Sequence, residues 1–294
     1  MAIPWLKAAE FITLGLLAAP TPPPADVLTL FAGKKAGRMM PRFMGPSGLD
    51  VTVQPGLFSN KVGRWNPGGN SLTVPGLDGL FAPTSLGTTT IRAVATTSMA
   101  TRARRMGYVS AATAAAVCGQ YTTVAQFTIG ATGGIGGFFH VCRFVPSDAA
   151  AVAGARMFVG LRNATAVPTN IEPSSGQTNM VGVAQISTSS NLHIVYGGSA
   201  AQAAIDLGAN FPANGLSTDL YELALFAPPD SQVVHYMVTR LNTGHVASGT
   251  LSGTVGTVLP AATTFLGHAA WRNNNATALA CGLDIVSIYV ETDN

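Results

Sequence analysis

Residues 232–241 read QVVHYMVTRL, and their alternation decides the fold class. Val234, Tyr236, Val238 and Arg240 fall on one side of an extended chain, His235, Met237, Thr239 and Leu241 on the other. A two-residue period of this kind fits a strand of an antiparallel sheet with one face on a core. Pro228-Pro229-Asp230 breaks the chain before the run, and Asn242-Thr243-Gly244 turns it into a second run at 246–251, which predicts a hairpin. Working outward, short β-type runs recur at 121–129, 137–145, 155–161, 181–186, 192–196, 221–226, 263–269 and 283–291. About ten short strands separated by turn chemistry, with no long amphipathic helix among them, predict a mainly β chain: an antiparallel two-sheet sandwich over 106–294.

Upstream of residue 106 the texture differs. Thr21-Pro22-Pro23-Pro24 stops any helix and makes a stiff connector. Gly45-Pro46-Ser47-Gly48, Asn66-Pro67-Gly68-Gly69-Asn70 and Pro75-Gly76 punctuate 20–105 with turns, so this stretch reads as an irregular attachment region ordered by packing against neighbours or other chains. Before it, Trp5, Ala9, Ile12 and Leu16 share one face of a helix, which makes 1–19 a docking helix, with Trp5, Ile12 and Leu16 as its assembly residues. A signal-peptide reading has to accommodate Lys7 and Glu10, and the same two charges make the segment a poor membrane span.

Charged residues are only 10% of the 294, against about 25% in an average domain. A surface so poor in charge fits a chain that buries much of itself against other copies, and argues against a free cytosolic enzyme. Residues 1–105 carry eleven Lys/Arg and four Asp/Glu, a net +7, whereas 106–294 carry five and nine, a net −4. The basic residues are scattered and no nucleic-acid motif accompanies them, so the expected neighbour of the basic portion is an acidic protein surface, not nucleic acid. Cys118, Cys142 and Cys281 match no metal-ligand or disulfide spacing, and folding in a reducing cytoplasm is compatible with them.

The search for chemistry gives little. Asp219 and Glu222 are three residues apart, which on a strand puts the two carboxyls on opposite faces and disfavours a glycosidase pair. His140, His193, His235, His245 and His268 each stand alone in or beside a β run, so neither a metal nor a cofactor is expected. The glycines of 130–137 lack the Gly-Lys-Ser/Thr ending of a phosphate loop and read as a hairpin-type connection. The best candidate for recognition is Trp271-Arg272-Asn273-Asn274-Asn275, which as an exposed loop would stack its indole on a sugar ring while the polar groups bind its hydroxyls; the reading favoured over it is a polar turn after a strand, with Trp271 buried in the sandwich or in a subunit interface. Tyr196, before Gly197-Gly198, is a weaker candidate of the same kind.

The successions 155–161 (ARMFVGL), 191–196 (NLHIVY), 221–228 (YELALFAP) and 234–238 (VHYMV), preceded by Ala36-Gly37-Arg38 and 45–48, resemble the strand succession of bacteriophage tail-fibre and other virion structural proteins with a concanavalin-like jelly roll. The resemblance spans about 25–294 and includes no catalytic motif. It implies a homotrimeric virion protein made in the host cytoplasm, docked on tail or baseplate partners through its N-terminal portion and touching a host-surface glycan through its sandwich. A capsid-decoration or tail-attachment protein and a glycan depolymerase are the alternatives.

Overall fold

The computed structural model describes residues 26–44, 50–52, 62–67, 82–131, 136–229 and 231–292, with a few isolated positions before residue 26. The expected docking helix, with Trp5, Ile12 and Leu16, lies outside the described residues, as does the turn at 45–48.

The strands follow in chain order. β1 (Thr29–Lys35), β2 (Arg38–Met44) and β3 (Asp50–Thr52) make a small three-stranded sheet. Then come β4 (Val62–Trp65), β5 (Thr84–Leu86), β6 (Thr88–Arg92), the single-turn helix α1 (Met99–Arg102), β7 (Arg105–Val109) and β8 (Val117–Tyr121). β9 (Phe138–Pro146), β10 (Arg156–Arg162), β11 (Met180–Gln185), β12 (Leu192–Gly197) and β13 (Ile205–Asp206) follow. The last are β14 (Tyr221–Ala227), β15 (Val234–Arg240), β16 (His245–Leu251), β17 (Gly267–Asn273) and β18 (Gly282–Thr292).

Two antiparallel sheets face each other. One runs β13-β12-β11-β10-β17-β8-β5; the other runs β16-β15-β14-β9-β18-β7-β6, with β4 paired to the far half of β18. The mainly β, two-sheet expectation therefore holds. The alternation in β15 does what its period requires: Val234, Tyr236 and Val238 are buried between the sheets, whereas His235 and Met237 are half-buried on the outer face. Beside them in the same core are Phe138, Phe144, Tyr221, Leu223 and Ile288 of their own sheet, and facing them are Met157, Val159, Leu161, Val183 and Ile194 of the other. Each such side chain contributes about 1.5–3 kcal/mol by leaving water.

Three expectations need correction. The sandwich does not begin at Met106: β5 pairs with β8, β6 with β7 and β4 with β18, so the irregular-looking stretch 62–105 supplies strands to both sheets. These strands are three to five residues long, and β5 and β6 are edges, so they bury too few side chains to leave a pattern. The run at 121–129 is strand only at its first residue; beyond it the chain follows β17 irregularly, through Thr122 N–H to the His268 carbonyl and a bridge between Phe127 and Leu266. Finally, the glycine-rich connection after residue 129 is not a hairpin, because β8 and β9 belong to different sheets and the chain crosses from one to the other there.

Candidate functional site

The clearest concavity lies where β1 and β2 rest on the outer face of the β9–β14–β15–β18 sheet. The register pairs Lys35 with Arg38, leaving Ala36-Gly37 as a two-residue turn with φ of 45° and 80°, the positive pair that a tight β-hairpin of matching twist demands. Gly37 also lies against the ring of His235, where a Cβ would come within 2.7 Å. Ala36 packs with Phe139 and Ala224, so the hairpin tip is seated on the sheet.

Two charge clusters hold that seat. The Arg38 guanidinium donates two hydrogen bonds, 2.6 and 2.8 Å, to the Glu291 carboxylate, and lies 5.0 Å from the centre of the Phe139 ring. The Tyr289 hydroxyl donates to the same carboxylate at 2.8 Å. On the other side, Glu222 accepts from the Lys35 ammonium and, at 2.7 Å, from Arg143 Nε. Burial pushes the Glu222 carboxyl up, but Lys35 and Arg143 together outweigh it and hold the pKa below its ordinary value.

Between hairpin and sheet remains a cleft of about 410 Å³, lined by Lys34, Lys35, Met40, Arg42, Phe139, Val141, Arg143, Glu222, Met237, Ser287, Tyr289 and Glu291 among others. Four cationic side chains meet two carboxylates there, and both carboxylates are bound to cations of their own. Arg143 keeps 48% of its side chain exposed, and Lys34 is exposed. The lining therefore offers an anion-attracting rim beside an aromatic floor of Phe139 and Tyr289, whose rings meet edge to face. Sequence reasoning missed this site because the residues come from five separate segments; the one local sign was the pairing of Ala36-Gly37 with flanking cations.

Glu222 and Glu291 deserve comparison with a catalytic carboxyl pair. They stand on β14 and β18, either side of β9, opposite Arg143 and Phe139 respectively. A general acid must keep its proton near neutral pH, which requires a raised pKa; that of Glu222 is lowered.

The expected recognition loop is placed elsewhere and otherwise. Trp271, Arg272 and Asn273 are the last residues of β17, and with Asn274 they are buried. The indole of Trp271 stacks on Phe158 with ring centres 6.2 Å apart. Arg272, pointing the opposite way into the sandwich, donates two hydrogen bonds to Asp148, one of them 2.8 Å, and others to Gln185 (2.6 Å) and Asn214 (3.0 Å). Asn274 is a splint: its amide donates to the carbonyls of Ala111, Thr113 and Leu279 while its oxygen accepts from Ala116 N–H. Asn275 turns the chain with φ 53° and is half-buried. Tyr196 lies half-buried in β12 against the main core, so the structure does not bring it to Trp271. The exposed-loop reading fails because the Asn residues hydrogen-bond backbone inside the fold, a use that composition does not distinguish from an exposed turn.

A second buried polar chain crosses between the sheets. Tyr108 donates to Gln120 at 2.6 Å, Gln120 lies 3.4 Å from His268, and His268 lies 3.2 Å from His140. Burial lowers the His140 pKa to about 3; burial and then His140 itself lower that of His268. Among the described residues no three His, Cys, Asp or Glu side chains converge as metal ligands, and no helix is long and apolar enough to cross a membrane.

Comparison with known proteins places the fold. No protein-family model matches the sequence, and no curated protein matches it. Among solved structures, peanut lectin in complex with a nine-residue peptide aligns at TM-score 0.50 and 12% identity, over 80% of this chain and 97% of the lectin. Lectin UEA-II complexed with galactose aligns at 0.49 and 11%, over 80% and 99%. A protein of unknown function from Shewanella oneidensis MR-1 aligns at 0.47 and 11%, over 79% and 86%. The class that the fold defines is thus the concanavalin-like jelly roll of the legume lectins. At such identity the likeness concerns the fold alone.

Proposed function

We propose that this chain is a glycan-binding attachment protein, a receptor-binding or tail-fibre subunit of a bacterial virus, and that the cleft beneath the β1–β2 hairpin takes an acidic sugar of the host surface. The observation that carries the reading is the cleft's lining: an exposed Lys34 and Arg143 at its rim, over the aromatic floor of Phe139 and Tyr289. Guanidinium and ammonium groups hydrogen-bond carboxylate or phosphate substituents, and an aromatic face packs on the apolar side of a sugar ring. The lectin-type fold is compatible with this role, and the virion setting rests on the resemblance of the strand succession and on the low charge of the chain. Binding at one such cleft is weak, and a trimer raises it by tethering several sites.

Assembly is supported by a second feature. Val27, Leu28, Leu30 and Met39, on and just before the hairpin, are large apolar side chains left 44–64% exposed. They mark the N-terminal portion as the face toward other copies or toward tail proteins. The depolymerase reading is less favoured, since a hydrolytic pair needs one protonated carboxyl, whereas Glu222 is bonded to Lys35 and Arg143 and Glu291 to the Arg38 guanidinium.

The test is an array of bacterial capsule and lipopolysaccharide oligosaccharides probed with the purified chain. Retention of uronate- or phosphate-bearing glycans, lost in Arg143→Ala, supports the reading. Retention of neutral glycans only, or release of shortened sugars, sinks it.

A further inference from the structure

β10 and β11 are adjacent antiparallel strands, Arg162 pairing with Met180, and a hairpin loop of roughly 2–5 residues would join them. The chain instead spends residues 163–179 on the connection, and these do not leave the sheet. Glu172, in its middle, accepts from Arg156 Nε at 3.0 Å and from Ser187 N–H at 3.2 Å, and Asn273 donates to the Ile171 carbonyl. Arg156, Asn273 and Ser187 all lie at the end of the sheet opposite to where the connection starts. The connection therefore doubles back along the outer face of the β10–β11–β17 sheet as a strap.

What it covers is an aromatic platform. Tyr121, Phe158 and Trp271 lie on that face, with Ile171 of the strap packed against their cluster. Three polar groups there are buried without a hydrogen-bond partner on some atom: Trp271 at Nε1, Arg162 at Nε, and Gln177, on the strap itself, at both ends of its amide. Arg162 lies on the same face as Phe158 and close enough to Tyr121 to be influenced by it. Unmet buried donors and acceptors are costly, and a ligand that supplies hydroxyls relieves them. No strand pairing joins the strap to the sheet among the described residues; Arg156–Glu172, with side chains 15% and 20% exposed, is the ion pair at its far end.

We propose that residues 163–179 form an opening strap over a second glycan subsite, in which one sugar residue sits edge-on to Trp271 and accepts from its indole N–H, while a neighbouring residue of the same glycan reaches Arg162 and Gln177 toward the strap's other end. This inference rests on the glycan-binding reading above but uses the opposite face of the sandwich from the hairpin cleft. Its chemistry is that of a hydroxyl-rich sugar, since the unmet groups are the indole N–H of Trp271, Arg162 Nε and both ends of the neutral Gln177 amide.

The experiment loosens the strap at its far end with Glu172→Gln and, independently, Arg156→Gln, and probes the same bacterial oligosaccharide array. Acrylamide quenching compared with and without Trp271→Phe isolates the signal of Trp271. The expected result is greater quenching of Trp271 and a roughly threefold rise in glycan binding, the scale of a partly exposed ion pair, with the gain absent when Trp271→Phe is added. A Trp271 that stays shielded in both variants, or glycan binding that remains sensitive only to Arg143→Ala, overturns the strap and leaves the cleft reading standing. Binding of no glycan by any variant overturns both.

Discussion

Arg272 shows how far one residue's role departs from its letter. The guanidinium is wholly buried, and Asp148, which faces it, also accepts from Gly282 N–H, so the pair ties β17 to the start of β18. Arg272→Ala leaves the carboxylate buried and uncompensated, which costs about 3–5 kcal/mol. Urea denaturation should show that loss, and Arg272→Met combined with Asp148→Leu should recover much of it. The histidine pair yields a pH prediction. Both rings have pKa values depressed below the unfolded 6.5, so the unfolded chain binds more protons and stability falls as pH drops below about 6.5 toward the folded value of about 3 for His140. The slope is up to about 1.4 kcal/mol per pH unit for each ring. Melting temperature measured from pH 7 to pH 4 should decline, and His268→Gln should flatten the decline. From the sequence, His140 and His268 each looked like an isolated strand residue; only the face-to-face stacking of β9 and β17 brings them together, and strand alternation carries no signal about which sheet a residue will face.

At the scale of elements, the hairpin β1–β2 is a clamp. Its turn requires positive φ at Gly37 and a bare Cα against His235, so Gly37→Val should cost about 1–3 kcal/mol through backbone strain and the clash with the ring. Thermal denaturation of that variant checks the value. Truncation at residue 105 removes β4, β5 and β6 along with the hairpin and should abolish cooperative folding, where the sequence alone predicts an intact sandwich. A sharp near-ultraviolet melting transition in a chain starting at 106 would contradict this. Long buried strands such as β14, β15 and β18 were legible because their side chains alternate or run apolar for a full strand. Short edge strands were not, because two or three side chains on a solvent-facing edge impose no period.

The whole molecule joins a lectin-type sandwich to an N-terminal hairpin, and the charge contrast across residue 105 falls inside the sandwich, because 62–105 supply strands to it. Its sheet order follows from pairings distant in sequence, such as β4 with β18 and β8 with β17, which local patterns cannot specify. That is why the sandwich was legible and the site was not: the cleft is assembled from β1 and β2 of the small sheet and β9, β14, β15 and β18 of the large one, which only the tertiary fold brings together. Apolar exposure along residues 27–39 and the scarcity of charge argue for association of copies, and the proposed fibre role predicts that light scattering of the purified chain gives the mass of a trimer; a monomer would remove the assembly argument. The central claim is that the hairpin cleft holds an acidic glycan. Its most direct measurement is calorimetric titration of the full chain with an acidic bacterial capsule oligosaccharide, at two salt concentrations, alongside the Lys34→Ala/Arg143→Ala variant. The account predicts binding that weakens as salt screens the rim and falls at least about tenfold in the variant, with the variant still folded at the titration temperature although it loses the Arg143–Glu222 ion pair. Equal binding by both proteins would contradict it.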